Sequence, residues 1–358
     1  MVKRTIIFRI AVAALAALLT LALIACDNGT SNTNPQNTLT DEANEAITTE
    51  ELGTTDMIST TEAATTKEEQ TTETVSTQGA TTEEKAPAPS GLPIKVLSQN
   101  VRYMDDSNGN DIPTRYRRLL RLLDEFQPDL IGTQETTLKW NNYLKSMENG
   151  YGIFTGDSRD GAGQESGEWG TILYNEDRFE LLDGGTFWLS ATPDTVSQVE
   201  GAICRRICTW VKLRDERTDN IILFVNTHLD HSNDEIRGEQ AKCLMSHLQT
   251  SLGDELNELV VYMTGDFNCT SKSLPYAYIT QYLSDAHIAA AVDGSTVSVT
   301  YHGYNDNGSG KEIDFCFANS KSTALRYEII EDKYAAEDSD APGFVSDHYG
   351  VLATFQIK

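Results

Sequence analysis

Short apolar runs separated by polar turns recur along the chain from residue 94 to its end. Such runs predict β-strands, and they lie at residues 94–100, 129–134, 171–175, 206–213, 221–228, 259–264, 313–318 and 350–357. Helical spacing of apolar residues predicts a helix from about Pro113 to Phe126 and another between the strands at 221–228 and 259–264. A shorter helix is expected near Ser273, a plausible N-cap. Many strands with few helices indicate an α/β protein in which two sheets pack together.

The helix at 113–126 has an apolar stripe that contains Leu119 and Leu122. Four arginines lie between or beside the stripe positions, and we expect them largely outside as a solvated face rather than as a phosphate-binding patch. They are Arg115, Arg117, Arg118 and Arg121.

The first 25 residues have the pattern of an export signal. Three basic residues precede an apolar run from Ile10 to Ala25 in which Thr20 is the only polar residue. The run ends in Leu-Ile-Ala-Cys and resembles a lipobox, in which Cys26 is lipidated and becomes the new N-terminus. A transmembrane anchor is the alternative, but the run is short for a span of about 20 residues. We therefore expect a protein that is lipid-anchored on the extracellular face of the cell membrane.

Residues 26–90 begin with that cysteine and continue as repetitive Thr, Glu, Ser, Asn and Ala. Because almost no aromatic or branched apolar residues occur there, the segment cannot bury enough surface to fold, and we expect a disordered tether. A glycosylated stalk or a partner-binding segment remains the alternative. Residues 91–358 are then one folded catalytic domain, which is long enough for a large core.

The charge of the chain limits its partners. The formal net charge is −26, and because the first 90 residues contribute −8, residues 91–358 carry −18. Proteins that grip nucleic acid usually present a basic surface. The charge therefore makes an avid nucleic-acid binder an unfavoured expectation. The five cysteines after Cys26 lack zinc-site spacing and are expected to be thiols, mostly buried.

Acidic, amide and imidazole side chains follow several of the predicted strands. Asp266 and Asn268 stand two apart at the end of a strand that is apolar at nearly every position, so both point to one side. There a carboxylate can act as a base on water while the amide holds that water or a phosphate oxygen. Asn226 and His228 repeat this spacing at the end of another strand. Glu135, a lone acid after a mostly apolar strand, suits Mg²⁺, which takes few protein carboxylates and keeps its waters.

Asp314 lies inside a predicted strand between two apolar residues. A buried acid is costly unless it is paired, and His348 is a candidate partner. A histidine oriented by a carboxylate commonly serves as a general acid–base or stabilises charge. Taken one at a time, these residues could equally be turn residues, helix caps or core histidines.

Together, the pieces Asn-Thr-His-Leu-Asp (226–230), Gly-Asp-Phe-Asn (265–268) and Ser-Asp-His (346–348) resemble the endonuclease/exonuclease/phosphatase superfamily, which has the deoxyribonuclease-I-like fold. The resemblance covers residues 91–358. It implies a four-layer sandwich of two mainly antiparallel β-sheets flanked by helices, with Mg²⁺ or Mn²⁺ at the loop-rich end.

The resemblance also implies a role for each residue of the site. The metal residues would be Glu135, Asn100 and Asp347, and the catalytic residues His228, Asp266, Asn268, Asp314 and His348. Two further stretches, 158–161 and 167–168, resemble a bacterial branch of the superfamily with mostly unassigned substrates. They suggest Arg159 and Glu168 as substrate-binding residues, although a surface loop without a role is the alternative for both.

These features predict a membrane-tethered, Mg²⁺-dependent phosphoesterase that hydrolyses a phosphomonoester or phosphodiester. The charge of −18 and the lipid anchor favour a small phosphorylated metabolite or a lipid head group as substrate over nucleic acid. We also expect a monomer. An extracellular nuclease and a non-catalytic binding lipoprotein with the same fold are the alternatives. Paired acids also occur in glycosidases, but the histidines and the Asp-x-Asn pair would have no task in that chemistry.

Overall fold

The computed structural model describes residues 91–305 and 307–358. The predicted signal sequence, the lipidation site Cys26 and the tether lie outside these residues. Within them, no helix combines the length and the apolarity needed to cross a bilayer. The five cysteines in this part of the chain are free thiols, and Cys208, Cys269 and Cys316 are buried.

The strands form two sheets. The first has seven strands in the order β10-β12-β13-β1-β2-β4-β3 and the second has six in the order β5-β6-β7-β8-β11-β9. The first consists of β1 (Ile94–Asn100), β2 (Leu130–Gln134), β3 (Tyr151–Phe154), β4 (Ile172–Asn175), β10 (Val292–Asp293), β12 (Ser322–Ile330) and β13 (Gly350–Ile357). The second consists of β5 (Phe179–Trp188), β6 (Ile207–Asp215), β7 (Ile221–His228), β8 (Val260–Asp266), β9 (Ser284–Asp285) and β11 (Asp314–Ala318).

Five α-helices connect these strands. They are α1 (Ile112–Phe126), α2 (Leu138–Leu144), α3 (Asp234–Leu252), α4 (Leu274–Ile279) and α5 (Ala286–Ala289). A short 3₁₀ helix, Gly253–Asn257, follows α3. Asp111 caps α1 by accepting a hydrogen bond from the Thr114 amide at 3.0 Å, and Asn233 caps α3 in the same way through the Ile236 amide.

Each sheet has a parallel pair near its centre. β1 runs parallel to β2 and β7 runs parallel to β8. Parallel neighbours need a long crossover, which α1 supplies in the first sheet and α3 in the second. The sheets are therefore mixed, with most of the remaining pairs antiparallel. Because the carboxyl ends of β1 and β2, and of β7 and β8, point the same way, both central pairs deliver their last residues to one end of the sandwich.

Three buried apolar layers show how the elements stack. The middle layer joins the two sheets through residues such as Val96, Phe224 and Phe355. A second layer packs the other face of the β7–β8 sheet against α3, and a third packs the β1–β2 sheet against α1 and α2. The order is helices, sheet, sheet, helices, which confirms the predicted four-layer sandwich.

The expected strands and the first helix agree with the structure to within two residues at most ends. The long strands β5 and β12 were missed, because Gly184-Gly185 and several polar positions interrupt their apolar pattern. The expected solvated arginine face of α1 is wrong for two of its four members. Arg115 is fully buried and Arg118 nearly so, because both donate to backbone carbonyls of neighbouring loops, including Arg102 and Phe344.

Candidate active site

The period-two alternation of the strands places polar side chains between the sheets at the end where the central pairs finish. One step below that end, a buried polar belt links the sheets. Gln134 Nε2 donates to Asn226 Oδ1 at 2.8 Å, and Thr264 Oγ1 donates to the same oxygen at 3.1 Å. Asn226 Nδ2 donates across the gap to the Thr133 carbonyl at 2.8 Å. Asn226, noted in the sequence together with His228, therefore joins the two sheets and lies beneath the site.

The site itself lies next to this belt, at the carboxyl ends of the central strands. Asn100 Nδ2 lies 3.0 Å from Glu135 Oε1 and 3.0 Å from Asp266 Oδ2, and so connects an acid of each sheet. The second oxygen of Glu135 accepts the Tyr103 amide at 2.9 Å. Glu135 has a φ of 62°, a left-handed conformation that costs a non-glycine residue about 1–3 kcal/mol. Because of this conformation, the Glu135 side chain reaches Asn100 at the site, whereas the preceding Gln134 side chain lies between the sheets.

Asp266 is almost completely buried at the end of β8. Its Oδ1 accepts the Asn268 amide at 2.9 Å, and its Oδ2 lies 3.5 Å from His228 Nε2. Burial, reinforced by the charge of Asp314, raises the pKa of Asp266 to about 7. A carboxylate with this pKa can accept a proton from water near neutral pH.

His228 faces Asp266 from the end of the parallel neighbour β7. Asn268 Nδ2 lies 3.0 Å from His228 Nε2 and also donates to the Leu229 carbonyl at 3.0 Å, which fixes the orientation of the amide. Nε2 of His228 therefore faces Asn268 and Asp266, whereas Nδ1 is buried and has no hydrogen-bond partner among the described residues. Burial, together with the nearby charges of Arg206 and His348, lowers the pKa of His228 well below its usual range. The ring is neutral at pH 7.

The pair of Asp314 and His348 that was expected from the sequence is present. His348 Nδ1 lies 2.9 Å from Asp314 Oδ2, and His348 Nε2 lies 3.8 Å from Asp266 Oδ2. Burial by itself would lower the pKa of His348, but Asp314, Asp266 and Asp347 outweigh it and raise the pKa to about 10. Thr300 Oγ1 accepts the amides of Ile313 and Asp314 and so holds the acid in place.

Asp347 completes the acidic floor. Ser346 Oγ donates to it at 3.1 Å, and Arg102 Nε lies 3.7 Å from its other oxygen. Burial and the charge of Glu135 raise the pKa of Asp347, whereas His348 and Arg102 lower it. The floor therefore holds buried negative charge that is only partly compensated.

These donors fit a hard divalent cation. Ligand atoms of Glu135, Asp266 and His348 all lie within 4.8 Å of one another. His348 is protonated at neutral pH and cannot ligate in that state, so carboxylate and amide oxygens remain as donors. Burial raises the pKa of Asp266 and of Asp347, and neighbouring acids add to the shift, so a positive charge here would stabilise the ionised carboxylates. Glu135, with Asn100 and Asp347 beside it, suits a cation that keeps most of its waters.

Arg159 and Glu168 lie on the wall next to this floor. Arg159 Nη1 is 3.0 Å from Glu168 Oε1, and the Arg159 amide donates to the Glu168 carbonyl at 2.9 Å. Trp188 is buried and donates from Nε1 to the Arg159 carbonyl at 2.9 Å. The loop that contains Arg159 and Glu168 is thus anchored to the domain at Arg159.

A cleft of about 900 Å³ opens above the floor. Its walls carry cationic side chains from separate parts of the chain, namely Arg102, Arg159, Arg206, Arg237 and Lys311. Of these, only Arg159 was predicted from the sequence to belong to the site. Tyr103 and Tyr301 also line the cleft and are substantially exposed. No local pattern marks Arg206, Arg237 or Lys311, because only the fold brings their positions, before β6, in the first turn of α3 and before β11, to the cleft. The neighbour of Tyr301, His302, stacks on Tyr349.

Comparison with known proteins supports the same architecture. The family model "Endonuclease/Exonuclease/phosphatase family" matches residues 97–348. Solved structures from Bacteroides thetaiotaomicron and Bacteroides vulgatus, both titled as members of that family, share 27% and 28% identity. They cover 76% and 75% of this chain and 99% and 100% of their own chains, with TM-scores of 0.68 and 0.67. A mannosyl-6-phosphatase of Bacteroides thetaiotaomicron shares 28% identity over 73% of this chain and 99% of its own, with a TM-score of 0.66. No match was found among curated proteins.

Proposed function

Because the chain belongs to the Endonuclease/Exonuclease/phosphatase family of metal-dependent phosphoric ester hydrolases, we propose that it is a Mg²⁺-dependent phosphatase of small phosphorylated metabolites. The observation that carries this proposal is the position of Glu135, Asp266 and His348 at the floor of a cleft with cationic walls. The domain carries −18 overall, so this concentration of positive charge is local. It suits a compact anion better than a long polyanion.

In the proposed reaction Asp266 accepts a proton from the attacking water. Its pKa of about 7 matches this task, and the Asn268 amide fixes one of its oxygens at 2.9 Å. The side chain of Asn268 lies between Asp266 and His228 and orients water or a phosphate oxygen there. Holding the water in line with the phosphorus removes much of the entropic part of the barrier.

Charge that develops on the phosphoryl oxygens and the leaving group is met by two imidazoles of different kind. His348 is protonated and fixed by Asp314, so it offers a charged Nε2–H toward Asp266 and the cleft. His228 is neutral and directs its Nε2 toward Asn268 and Asp266. Preorganised donors in a site of low dielectric stabilise such charge more strongly than water does. A divalent cation held by Glu135, Asn100 and Asp347 would neutralise phosphoryl charge when bound.

The relatives and the sequence support further parts of the proposal. A mannosyl-6-phosphatase is among the similar solved structures, which favours a monoester of a small hydroxylated compound, although a lipid head group offers the same chemistry. The export signal and Cys26 support a protein anchored on the outer face of the membrane. Labelling of cells with a clickable palmitate analogue tests the anchor: the wild type should carry label, and the Cys26→Ser variant should not.

The proposed activity is tested with purified protein on p-nitrophenyl phosphate and bis-(p-nitrophenyl) phosphate, each with Mg²⁺, Mn²⁺ or EDTA. We expect metal-dependent turnover with preference for the monoester. Preference for the diester, with a steep loss of affinity for DNA as salt rises, would favour the nuclease alternative. Absence of turnover together with absence of Mn²⁺ binding would favour the binding lipoprotein.

A further inference from the structure

Arg206 is a buried arginine whose donors are poorly used. It is 5% exposed, and its Nη1 lies 3.6 Å from Glu168 Oε2 while its Nη2 lies 3.4 Å from His231 Nδ1. Its Nε has no hydrogen-bond partner among the described residues. A buried guanidinium normally has nearly all of its five N–H groups paired. Arg206 lines the cleft, and because its two Nη nitrogens make only these long contacts, they have donors left for a group that enters from it.

Glu168 brings acceptors to the same place. Its carboxylate lies between two arginines, with Oε1 3.0 Å from Arg159 Nη1 and Oε2 facing Arg206. Burial raises the pKa of Glu168, and the two arginines lower it. A carboxylate has about four lone-pair positions, so two remain after these contacts. Donors of Arg206 and acceptors of Glu168 thus stand side by side.

Both residues are held in place by groups that make no contact with the reacting atoms. The buried Asp230 accepts the amides of Ile203 and Cys204 at 3.1 and 3.2 Å, which fixes the segment that leads to Arg206. On the other side, the Arg159–Glu168 backbone pair holds the loop. Prior ordering of this kind lowers the entropic cost of binding a ligand.

The place of this group along the substrate follows from its neighbours. Arg206, Glu168, Glu135 and His228 line one small cavity of about 20 Å³, enough for one water molecule. A hydroxyl bound there would lie beside Glu135 and His228, and so next to the place where the phosphoryl group is proposed to bind.

Because Arg206 is a donor and Glu168 is an acceptor, the two residues together favour a group that can both accept and donate a hydrogen bond. A second anionic group would be attracted by Arg206 but repelled by Glu168 and by the acidic floor. A hydroxyl can accept from Arg206 and donate to Glu168 at once, so it uses both.

We infer that Arg206 and Glu168 form a specificity subsite that reads a hydroxyl group of the leaving alcohol, so that the preferred substrates are phosphates of sugars or other polyols. This inference rests on the proposed phosphatase function and names its substrate class. Arg206 is then a specificity-determining residue that sequence patterns did not reveal.

The test compares polyol phosphates with phenyl phosphate, which lacks hydroxyls. The kcat/KM of the purified protein would be measured for mannose 6-phosphate, glycerol 1-phosphate and inositol 1-phosphate. The ratio of the best of these to phenyl phosphate should fall 10- to 100-fold in Arg206→Lys and in Glu168→Gln, because one partner of a buried hydroxyl is lost. Arg214→Gln, at the far end of β6 and half exposed, is the matched control and should keep the wild-type ratio.

Two results would overturn the inference. An equal loss on polyol and phenyl phosphates would show that Arg206 acts on the phosphoryl group, and an unchanged ratio would show that the pair reads nothing. Thermal unfolding of each variant separates these outcomes from misfolding.

Calorimetric binding of the same compounds to Asp266→Asn protein, with and without Arg206→Lys, makes the test independent of turnover. A polyol preference of tenfold or more that Arg206→Lys removes supports the subsite even if the phosphatase proposal fails. Equal binding of all four compounds overturns the subsite while leaving the phosphatase activity to its own assay.

Discussion

Buried charge occurs at both ends of the sandwich, but it is arranged in opposite ways. At the end where β1 and β2 begin, Arg178 lies 3.0 Å from Asp215 and 3.2 Å from Asp129, and it donates to the carbonyls of Leu92 and Pro93 at 2.9 and 2.8 Å. Both acids of this cluster contact the arginine directly. At the other end the acids Glu135, Asp266, Asp314 and Asp347 lie close together, and their charges add to burial in raising the pKa values of Asp266 and Asp347. The first arrangement holds the fold together, and the second is strained in a way that a cation and a phosphate group would relieve.

The largest expected effect is the loss of activity in Asp266→Asn. The amide cannot accept the proton of the attacking water, so kcat/KM should fall by about 10²–10⁴. Stability without metal should be equal to or higher than that of the wild type, because one repelling charge is removed. Steady-state kinetics and urea unfolding measure the two quantities. Activity within threefold of the wild type would exclude Asp266 as the base.

An Asp→Asn substitution at the opposite end of the sandwich should lower stability and leave activity unchanged. Asp215→Asn leaves Arg178 buried with a weakened partner, and about 3–5 kcal/mol of unfolding free energy should be lost. The kcat of the folded protein should stay within twofold of the wild type. Asp219→Asn, a highly exposed acid 3.8 Å from Arg214, is the control and should change stability by less than about 0.5 kcal/mol. A similar loss in both variants would contradict the contrast between the ends.

A divalent cation should raise the unfolding free energy by binding at the acidic end that contains Glu135. At 100 times its Kd, Mn²⁺ should add about 2.7 kcal/mol to the unfolding free energy, as measured by thermal melts with and without EDTA. Glu135→Gln should abolish most of this gain, whereas Glu148→Gln, an exposed acid, should retain it. Full retention in Glu135→Gln would place the cation elsewhere.

The unfolding free energy of the metal-free protein should also depend on pH. The pKa of Asp266 is about 7 in the folded protein and near 3.8 when unfolded, so between these values the folded state binds more protons. Its unfolding free energy should therefore fall as pH rises from 4 to 7, by at most about 1.4 kcal/mol per pH unit from this group. Urea unfolding in EDTA at several pH values should show a flatter slope for Asp266→Asn. An unchanged slope would mean that another group titrates.

Local patterns identified the floor of the site and missed its walls, for a physical reason. Asp266, His228 and Asp314 lie at ends of apolar strands, where period-two geometry and register place them in one row. Arg206 and Lys311 acquire their position only through contacts distant in sequence, and no spacing rule encodes those contacts.

Arg115 shows the same limit in the fold. Its spacing on α1 and its charge predicted a solvated position, yet it is fully buried against Trp140, with its guanidinium 5.4 Å from the ring. Its side chain binds the carbonyls of the loop that follows Asn100. That loop has no sequence pattern of its own, so its need for a buried donor could not be anticipated.

The polar belt of Gln134, Asn226 and Thr264 has a consequence for anyone who recombines this gene with its relatives. The belt requires a glycine at position 132, because a Cβ there would collide with the side chains of Asn226 and Thr264. A crossover between residues 175 and 179 passes from one sheet to the other, and so pairs a Gly132 half with a foreign Asn226 half. Chimeras should survive only when both parents share this belt.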